Sequence, residues 1–548
     1  MPRTGKEAMI EQFLADGITH MFGNPGTVEQ GFLDALESFP DFHYILALQE
    51  TVAAGVADGY ARATRGPAVL QLHSGVGLGN GIGMMYQSKR GHTPLVVVAG
   101  ESGIAYDSMD AQMAADLVAM ARPVTKWAAR VVDPRSLLRI LRRAVKTAMT
   151  PPRGPVFVAL PMDVLDALND ELVVPTVVPS ARAVPTADQV AEAAALLSGA
   201  ERPVLVIGDG VTTSGAEAEL VRVAEKLGAD VWYADSSDLP MPSTHPLSRG
   251  ALGHMFGPVS KAAVQDADAV LIVGTYVFPE VFPELTSPFA PDATIVHIDL
   301  DDYEIAKNHP VTLGLVADPK PTLAALAGVL DRLRTPEQEA AAATHIRRRA
   351  AERAAADEAP DDTLIGAFLA ELAGRAPKDL MVFDEALTAS PYLTRYLKPQ
   401  LPGHYLVTRG GSLGVGIPGA VGMKIAHPGR TVIGFTGDGG AMYTYQAVWT
   451  AARHDVPAVF VVCNNHRYQL LNANIDEYWR EQGIAGRAHP HSFDLSHPAI
   501  DFSALAQSLG ADGVRLDKPE QIAATVERIL TTRRPLLIDL QTDDTLRS

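Results

Sequence analysis

The sequence predicts an α/β protein built from three doubly wound, mostly parallel-sheet domains. Short β-type runs alternate with helical segments along the chain, two connectors of distinct composition divide it into three blocks, and the strand–helix rhythm of the first block returns in the third. At 548 residues the chain is also too long for a single hydrophobic core.

The first block spans 1–178. Met9 with Phe13 and Ile10 with Leu14 form apolar i, i+4 pairs, which predict an opening helix. Strand-like runs follow at 18–22, 68–72, 95–99 and 156–160, separated by helical stretches. The proline-punctuated VVPTVVPSARAVPTAD then reads as an extended linker. A second block, 187–334, opens with PVLVIGDG and continues with the strands ADVWY, AVLIVG and TIVHIDL. Residues 335–360 are rich in alanine, arginine and glutamate, the pattern of a solvated helical connector. The third block, 361–548, carries DLMVFD, TVIGFTGD, PAVFVVCNN and PLLIDL.

Composition narrows the function. A net charge of −18 argues against nucleic acid as the main partner, because phosphate backbones need a basic surface. It leaves room for a small anionic ligand held by local amides and a metal. No apolar run approaches the ~20 residues of a membrane span, and MPRTGKEAMIEQF reads as a helix start instead of a signal peptide. The single cysteine, Cys463, lies in the apolar VPAVFVVC; one buried thiol fits a reducing cytoplasm.

The most informative segment is Gly437-Asp438-Gly439, separated by 24 residues from Asn464-Asn465. Both ends fall where adjacent strands finish. A carboxylate and a side-chain amide at neighbouring strand ends supply the hard oxygen ligands of a divalent ion, in the usual crevice of a parallel sheet. The glycines let backbone amides approach phosphate oxygens. A lone GDG is weak: Gly208-Asp209-Gly210 also ends a strand, lacks paired asparagines downstream, and reads as a plain turn.

With those residues in view, the chain resembles the thiamine-diphosphate-dependent enzymes, the superfamily of pyruvate decarboxylase and acetolactate synthase, over essentially its full length. The resemblance implies a pyrimidine-binding first domain, a middle domain and a diphosphate-binding third domain. It also implies thiamine diphosphate and Mg2+ as cofactors. Asp438 and Asn465 become metal ligands with the Arg467 carbonyl, while Thr388, Gly437, Gly439, Gly440 and Tyr443 lie along the diphosphate.

Glu50, in YILALQETVAAGVADGYARA, stands where an apolar strand meets an alanine-rich helix, so its carboxylate should be poorly solvated. An N-terminal helix acid stabilised by the dipole would look the same. The family places at this position the glutamate that hydrogen-bonds the aminopyrimidine N1′ and activates the cofactor. Leu413, in RGGSLGVGIP, matches the residue that wedges the cofactor into a bent shape, and the Gly411 carbonyl the acceptor for the 4′-amino group. Since Glu50 and the metal motif lie in different blocks, the family expectation is a homo-oligomer, dimer or tetramer, with active sites at the subunit interface.

Within the superfamily, GITHMFGNPGTVEQGFL, LALQE and LQLHSGVGLGN look like the benzoylformate decarboxylases. That likeness gives Thr27 a contact with the substrate carboxylate, against the alternative of a capping box with Gln30. It gives His73 an acid/base role, against that of a satisfied core histidine. A second catalytic histidine of that group has its counterpart near Val281 or Phe282, where none occurs; Glu280 or Glu284 would have to compensate. A small pocket residue stands here as Leu470 and an aromatic one as Asn474, which reshapes the pocket and puts an aryl substrate in question. The polar segment 466–500 is longer than that group requires and reads as a surface excursion or a lid.

The expected activity is therefore thiamine-diphosphate-dependent cleavage or formation of a C–C bond beside a carbonyl, foremost non-oxidative decarboxylation of a 2-oxoacid. A 2-hydroxyacyl-CoA lyase or an acetolactate-synthase-like carboligase acting on an acyl substrate is the alternative. A non-catalytic scaffold would have lost Glu50 or the metal ligands, and all are present. A nicotinamide enzyme would need G-x-G-x-x-G, whereas the glycines at 75, 77 and 79 have the wrong spacing.

Overall fold

In the first block, AVLQLH, LVVVAGE and VFVALP are buried almost residue by residue, as strands covered on both faces must be. The computed structural model describes residues 3–234, 238–253, 255, 257–278, 280–357 and 361–542. These strands, Ala68–His73, Leu95–Glu101 and Val156–Pro161, form the centre of a six-stranded sheet. Its order is His43–Leu46, His20–Gly23, Ala68–His73, Leu95–Glu101, Val156–Pro161, Trp127–Arg130, parallel throughout. Numbered along the chain, that is 2-1-3-4-6-5.

The third block repeats this order: Tyr405–Val407, Met381–Glu385, Val432–Gly437, Val459–Asn464, Leu536–Gln541, Asp512–Leu516. The five strands from Met381–Glu385 onward pair in parallel. Here too the inner strands carry continuous apolar runs, with Phe383, Phe435 and Phe460 fully buried.

Residues 1–179, 361–397 and 408–548 form one compact unit. Its two sheets meet through the helices Glu50–Thr64 and Gly416–Ala426. Glycines set their close approach. A Cβ on Gly59 would lie 2.1 Å from the Gly419 carbonyl oxygen, and one on Gly422 would lie 2.0 Å from that of Val56. Leu46 N–H adds a tie by donating to His454 Nε2 at 2.9 Å.

Residues 180–360 and 398–407 form the second unit. Its parallel sheet runs Ser248–Ala251, Asp230–Tyr233, Pro203–Ile207, Ala269–Val273, Thr294–Asp299, Leu313–Val316, the 3-2-1-4-5-6 order of nucleotide-binding folds. The expected connector is the helix Pro336–Asp357 of this unit. The second GDG is more than a plain turn: Asp209 opens the helix Asp209–Ser214, and a Cβ on Gly210 would lie 2.4 Å from Gly274 Cα. Its glycines serve backbone packing. Among the described residues, no helix is long and apolar enough to cross a membrane.

Candidate functional site

Two clusters of polar side chains form at the carboxyl ends of strands in the first unit. The first begins where Ala68–His73 ends. Ser74 turns the chain with a left-handed φ of +52° and starts the helix Ser74–Arg90. Such a conformation is unfavourable for a non-glycine residue and concentrates at functional turns. His73 Nδ1 lies 2.8 Å from Glu29 Oε2, which also accepts from Gly26 N–H at 2.9 Å. Burial pushes the Glu29 carboxyl upward, opposed by the Gly26 donor and His73. A carboxylate acceptor at Nδ1 places the ring proton there and leaves Nε2 for other chemistry. Gly26 is required by contact, since a Cβ would lie 2.2 Å from His73 Nδ1.

Glu50 heads its helix, which Gln49 caps by accepting from the backbone of Thr51 and Val52. Its carboxylate is 6% exposed. Oε1 accepts from Asn24 Nδ2 at 3.1 Å and Oε2 from Asn80 Nδ2 at 3.0 Å. Gly77 lies between Glu50 and His73: a Cβ there would be 3.1 Å from Glu50 Oε1 and 3.3 Å from His73 Cβ. Glu50 and His73 therefore share one cluster. Thr27 is exposed at its edge. The capping box with Gln30 does not form, because the helix Gln30–Leu36 starts at Gln30 itself, with Glu29 and not Thr27 at its N-cap.

The second cluster lies in the third block. Asp438 follows the strand Val432–Gly437 and is 6% exposed. Its Oδ1 accepts from Gly439 N–H at 2.8 Å, while Oδ2 is buried without a hydrogen-bond partner. Burial pushes this carboxyl upward, against the Gly439, His466 and Arg467 backbone donors. The neighbouring strand Val459–Asn464 ends level with it, Gly437 pairing with Cys463. Asn464 is anchored to Asp539 Oδ1 at 2.9 Å, and Asn465 Oδ1 accepts from Arg467 N–H at 3.2 Å. His466, between them, turns with φ +58°.

A cavity of 110 Å³ opens here, lined by Asp438, Gly439, Asn464, His466, Tyr468 and Phe502 among others. A Cβ on Gly439 would lie 2.3 Å from the Tyr468 ring. No group of three His, Cys, Asp or Glu side chains suited to a metal occurs among the described residues. A carboxylate and a side-chain amide oxygen at neighbouring strand ends are donor types suited to a hard divalent ion.

The remaining expected residues lie in the same block, and apart from Gly439 none of them lines this cavity. Thr388 lies in the single turn Leu387–Ala389 beyond the strand Met381–Glu385. Gly411 has φ +71° and is exposed; Leu413 is half-buried in the same loop. Gly437 is half-buried, Gly440 is buried against Thr436, and Tyr443 is 55% exposed. Leu470 and Asn474, both half-buried, sit one turn apart on the helix Gln469–Glu481.

Among the described residues, Glu50 bonds within the first block and Asp438 within the third, and no hydrogen bond joins them. In the second unit, Val281 and Phe282 are exposed, Glu280 is buried, and Glu284 lies 3.9 Å from Lys261. The sequence reading missed Glu29, Asn24 and Asn80. Asn24 and Glu29 flank the NPGTV turn and Asn80 ends GVGLGN; such partners become visible only when the turn is folded.

Comparison with known proteins points one way. Family models described as "Thiamine pyrophosphate enzyme" match residues 3–120 (N-terminal TPP binding domain), 190–326 (central domain) and 388–540 (C-terminal TPP binding domain). Benzoylformate decarboxylase of Pseudomonas aeruginosa is 32% identical over 98% of this chain and 99% of its own. A probable acetolactate synthase large subunit of Methanocaldococcus jannaschii is 28% identical over 98% of this chain and 92% of its own. The structure of a Rhodococcus jostii RHA1 thiamine diphosphate-dependent 4-hydroxybenzoylformate decarboxylase superposes with TM-score 0.86 at 28% identity, covering 100% of both chains.

Proposed function

The chain belongs to the thiamine pyrophosphate enzyme family, and from that membership we propose that it removes carbon dioxide from a 2-oxoacid without oxidation. The observation that carries this reading is His73, fixed through Nδ1 by Glu29 in the same cluster as Glu50. Decarboxylation of a 2-oxoacid to an aldehyde breaks the bond to the carboxylate and puts a proton on the carbon left behind. A histidine with a free Nε2 is suited to deliver that proton, whereas ligation joins the same carbon to a second carbonyl.

The residues of the third block fit a magnesium diphosphate. Asp438 Oδ2 is buried and lacks a partner, which is costly unless a cation approaches. Asp438, the Asn465 amide oxygen and the Arg467 carbonyl would hold Mg2+. Thr388, the Gly437–Gly440 backbone and Tyr443 would line the diphosphate. The bound thiamine diphosphate supplies the nucleophilic carbon and the electron sink for the reaction. Glu50, held as a fixed acceptor by Asn24 and Asn80, would orient the aminopyrimidine, while the Gly411 carbonyl would accept from its amino group and Leu413 would pack against the cofactor. His73 moves the proton at Nε2, Thr27 contacts the substrate carboxylate, and Leu470 and Asn474 border the substrate's side chain.

We take the working form to be a homo-oligomer, dimer or tetramer, whose sites join Glu50 of one chain to Asp438 of another. The apolar side chains exposed near the two clusters support this: Leu48 and Val76 beside Glu50 and His73, Met442 and Tyr443 beside Asp438. The buried free Cys463 supports a cytoplasmic setting.

The test is carbon dioxide release from a panel of aliphatic and aromatic 2-oxoacids, with thiamine diphosphate and magnesium, for wild type and Glu50→Gln. Release that vanishes in the variant supports the reading. A wild type that binds the cofactor yet releases nothing, while forming ligated or acyl-CoA-derived products, replaces it with the carboligase or lyase.

A further inference from the structure

One carboxylate in the third block remains without a part in this scheme. Glu385 ends the strand Met381–Glu385, next to the Asp438 strand, and only 1% of it is exposed. Among the described residues it has no cationic partner. Its Oε1 accepts from Gly414 N–H, and its Oε2 accepts from Gly416 N–H at 2.6 Å and from Thr436 Oγ1 at 3.2 Å. Thr436 is its direct register partner on the neighbouring strand, two residues before Asp438. Burial pushes the carboxyl up to about 7, while the donors at both oxygens favour its ionised form.

Two hydroxyls also hold the segment gripped by Glu385, Thr444 Oγ1 donating to the Gly414 carbonyl and Thr408 Oγ1 to that of Ser412 at 3.3 Å, but Glu385 alone bonds its N–H groups at both 414 and 416. Gly410, Gly411 and Gly414 take φ values of +65°, +71° and +91°, conformations that glycine enters freely and leaves as freely. Gly414 is wedged from the opposite side as well, where a Cβ would lie 2.6 Å from Tyr443 Cβ. Gly416 begins the helix Gly416–Ala426. A side chain that bonds two N–H groups of one glycine-rich turn, and also the strand leading to Asp438, fixes that turn relative to the metal cluster.

We propose that Glu385 is the positioning residue that holds the 411–414 turn, with Leu413 and the Gly411 carbonyl, in register with the diphosphate cluster. This rests on the cofactor reading above. Glu385 is fully occupied by the Gly414 and Gly416 N–H groups and Thr436, so it would act by presenting the turn to the ring portion of the cofactor.

The experiment compares wild type, Glu385→Gln and Thr436→Val in the full chain. Binding is measured for magnesium thiamine diphosphate and, separately, for magnesium with inorganic diphosphate, by tryptophan fluorescence and equilibrium dialysis. Turnover and cofactor-free melting are recorded alongside. Replacing one oxygen by an amide turns a donor toward a backbone N–H, so Glu385→Gln should bind the cofactor about tenfold or more weakly. Its kcat should fall with the substrate KM unchanged, and inorganic diphosphate should bind as in wild type. Thr436→Val, which keeps the carboxylate and removes one donor, should give the same pattern at smaller size; it stands in if Glu385→Gln does not fold. Equal losses of both ligands, or no loss of either in a wild type that binds them, would overturn the assignment. A wild type that binds inorganic diphosphate but not thiamine diphosphate would overturn the cofactor reading and the inference with it.

Discussion

The first and third blocks share one strand order, yet they treat their key carboxylates in opposite ways. Glu50 has both oxygens satisfied by neutral amide donors, from Asn24 and Asn80. Asp438 has one oxygen on Gly439 N–H and the other buried without a hydrogen bond, only faced by the His466 and Arg467 N–H groups. A carboxylate satisfied on both sides is an oriented acceptor that needs no counter-ion. One left half-satisfied in a buried site is a demand for a cation. On the proposed function, the same scaffold makes an orienting half-site and an ion-binding half-site, and the difference lies in which neighbours reach the strand ends.

The largest effect should come from removing the orienting acceptor. Glu50→Gln keeps the shape and the Asn80 and Asn24 environment, and turnover should fall about a thousandfold, read as carbon dioxide release. Next is the contact that joins the two blocks. In Gly422→Ala the new methyl would meet the Val56 carbonyl, so the helices must part, at a cost of about 1–3 kcal/mol; thermal melting checks this. An unchanged melting temperature would show that the blocks are coupled elsewhere.

Within the first block, Glu29→Gln leaves His73 a neutral partner. It should lower kcat about tenfold to a hundredfold while cofactor binding and KM hold, measured by steady-state kinetics. A change confined to KM would place His73 in substrate binding instead. The smallest expected effect is at His454, whose burial holds its pKa below the usual 6.5 and whose Nε2 accepts from Leu46 N–H. A depressed histidine pKa means that the unfolded chain binds the proton more readily. The stability contribution is therefore complete above 6.5 and is lost as pH falls through the folded pKa. His454→Gln should flatten that acid limb by about 1 kcal/mol, seen by urea unfolding across pH.

Much of this was legible in the sequence, for a physical reason. Central strands of a parallel sheet are covered on both faces, so LVVVAGE or PAVFVVCNN announces itself. The edge strands do not: His43–Leu46 and Trp127–Arg130 are largely half-exposed and carry histidine and arginine. The exchange of the last two strands in both sheets was equally hidden, since strand order depends on crossovers that no local pattern records. At the site, the juxtaposition of the Asp438 and Asn465 segments was readable because both follow the ends of strong neighbouring strands. Glu29 was not, because its partner His73 is brought to it by the fold of the NPGTV turn. The capping box weighed for Thr27 shows the limit of a local pattern: the helix starts only at Gln30, with Glu29 at its N-cap. Glu385 gave no signal at all, its donors being the backbone of a glycine turn from beyond the next strand.

The division of labour between the two carboxylates is tested most directly by titrating magnesium thiamine diphosphate into wild type, Glu50→Gln and Asp438→Ala and measuring affinity without turnover. Glu50→Gln should bind within about tenfold of wild type, and Asp438→Ala should lose more than about a hundredfold. Wild-type affinity in Asp438→Ala, or equal losses in both variants, would contradict the account.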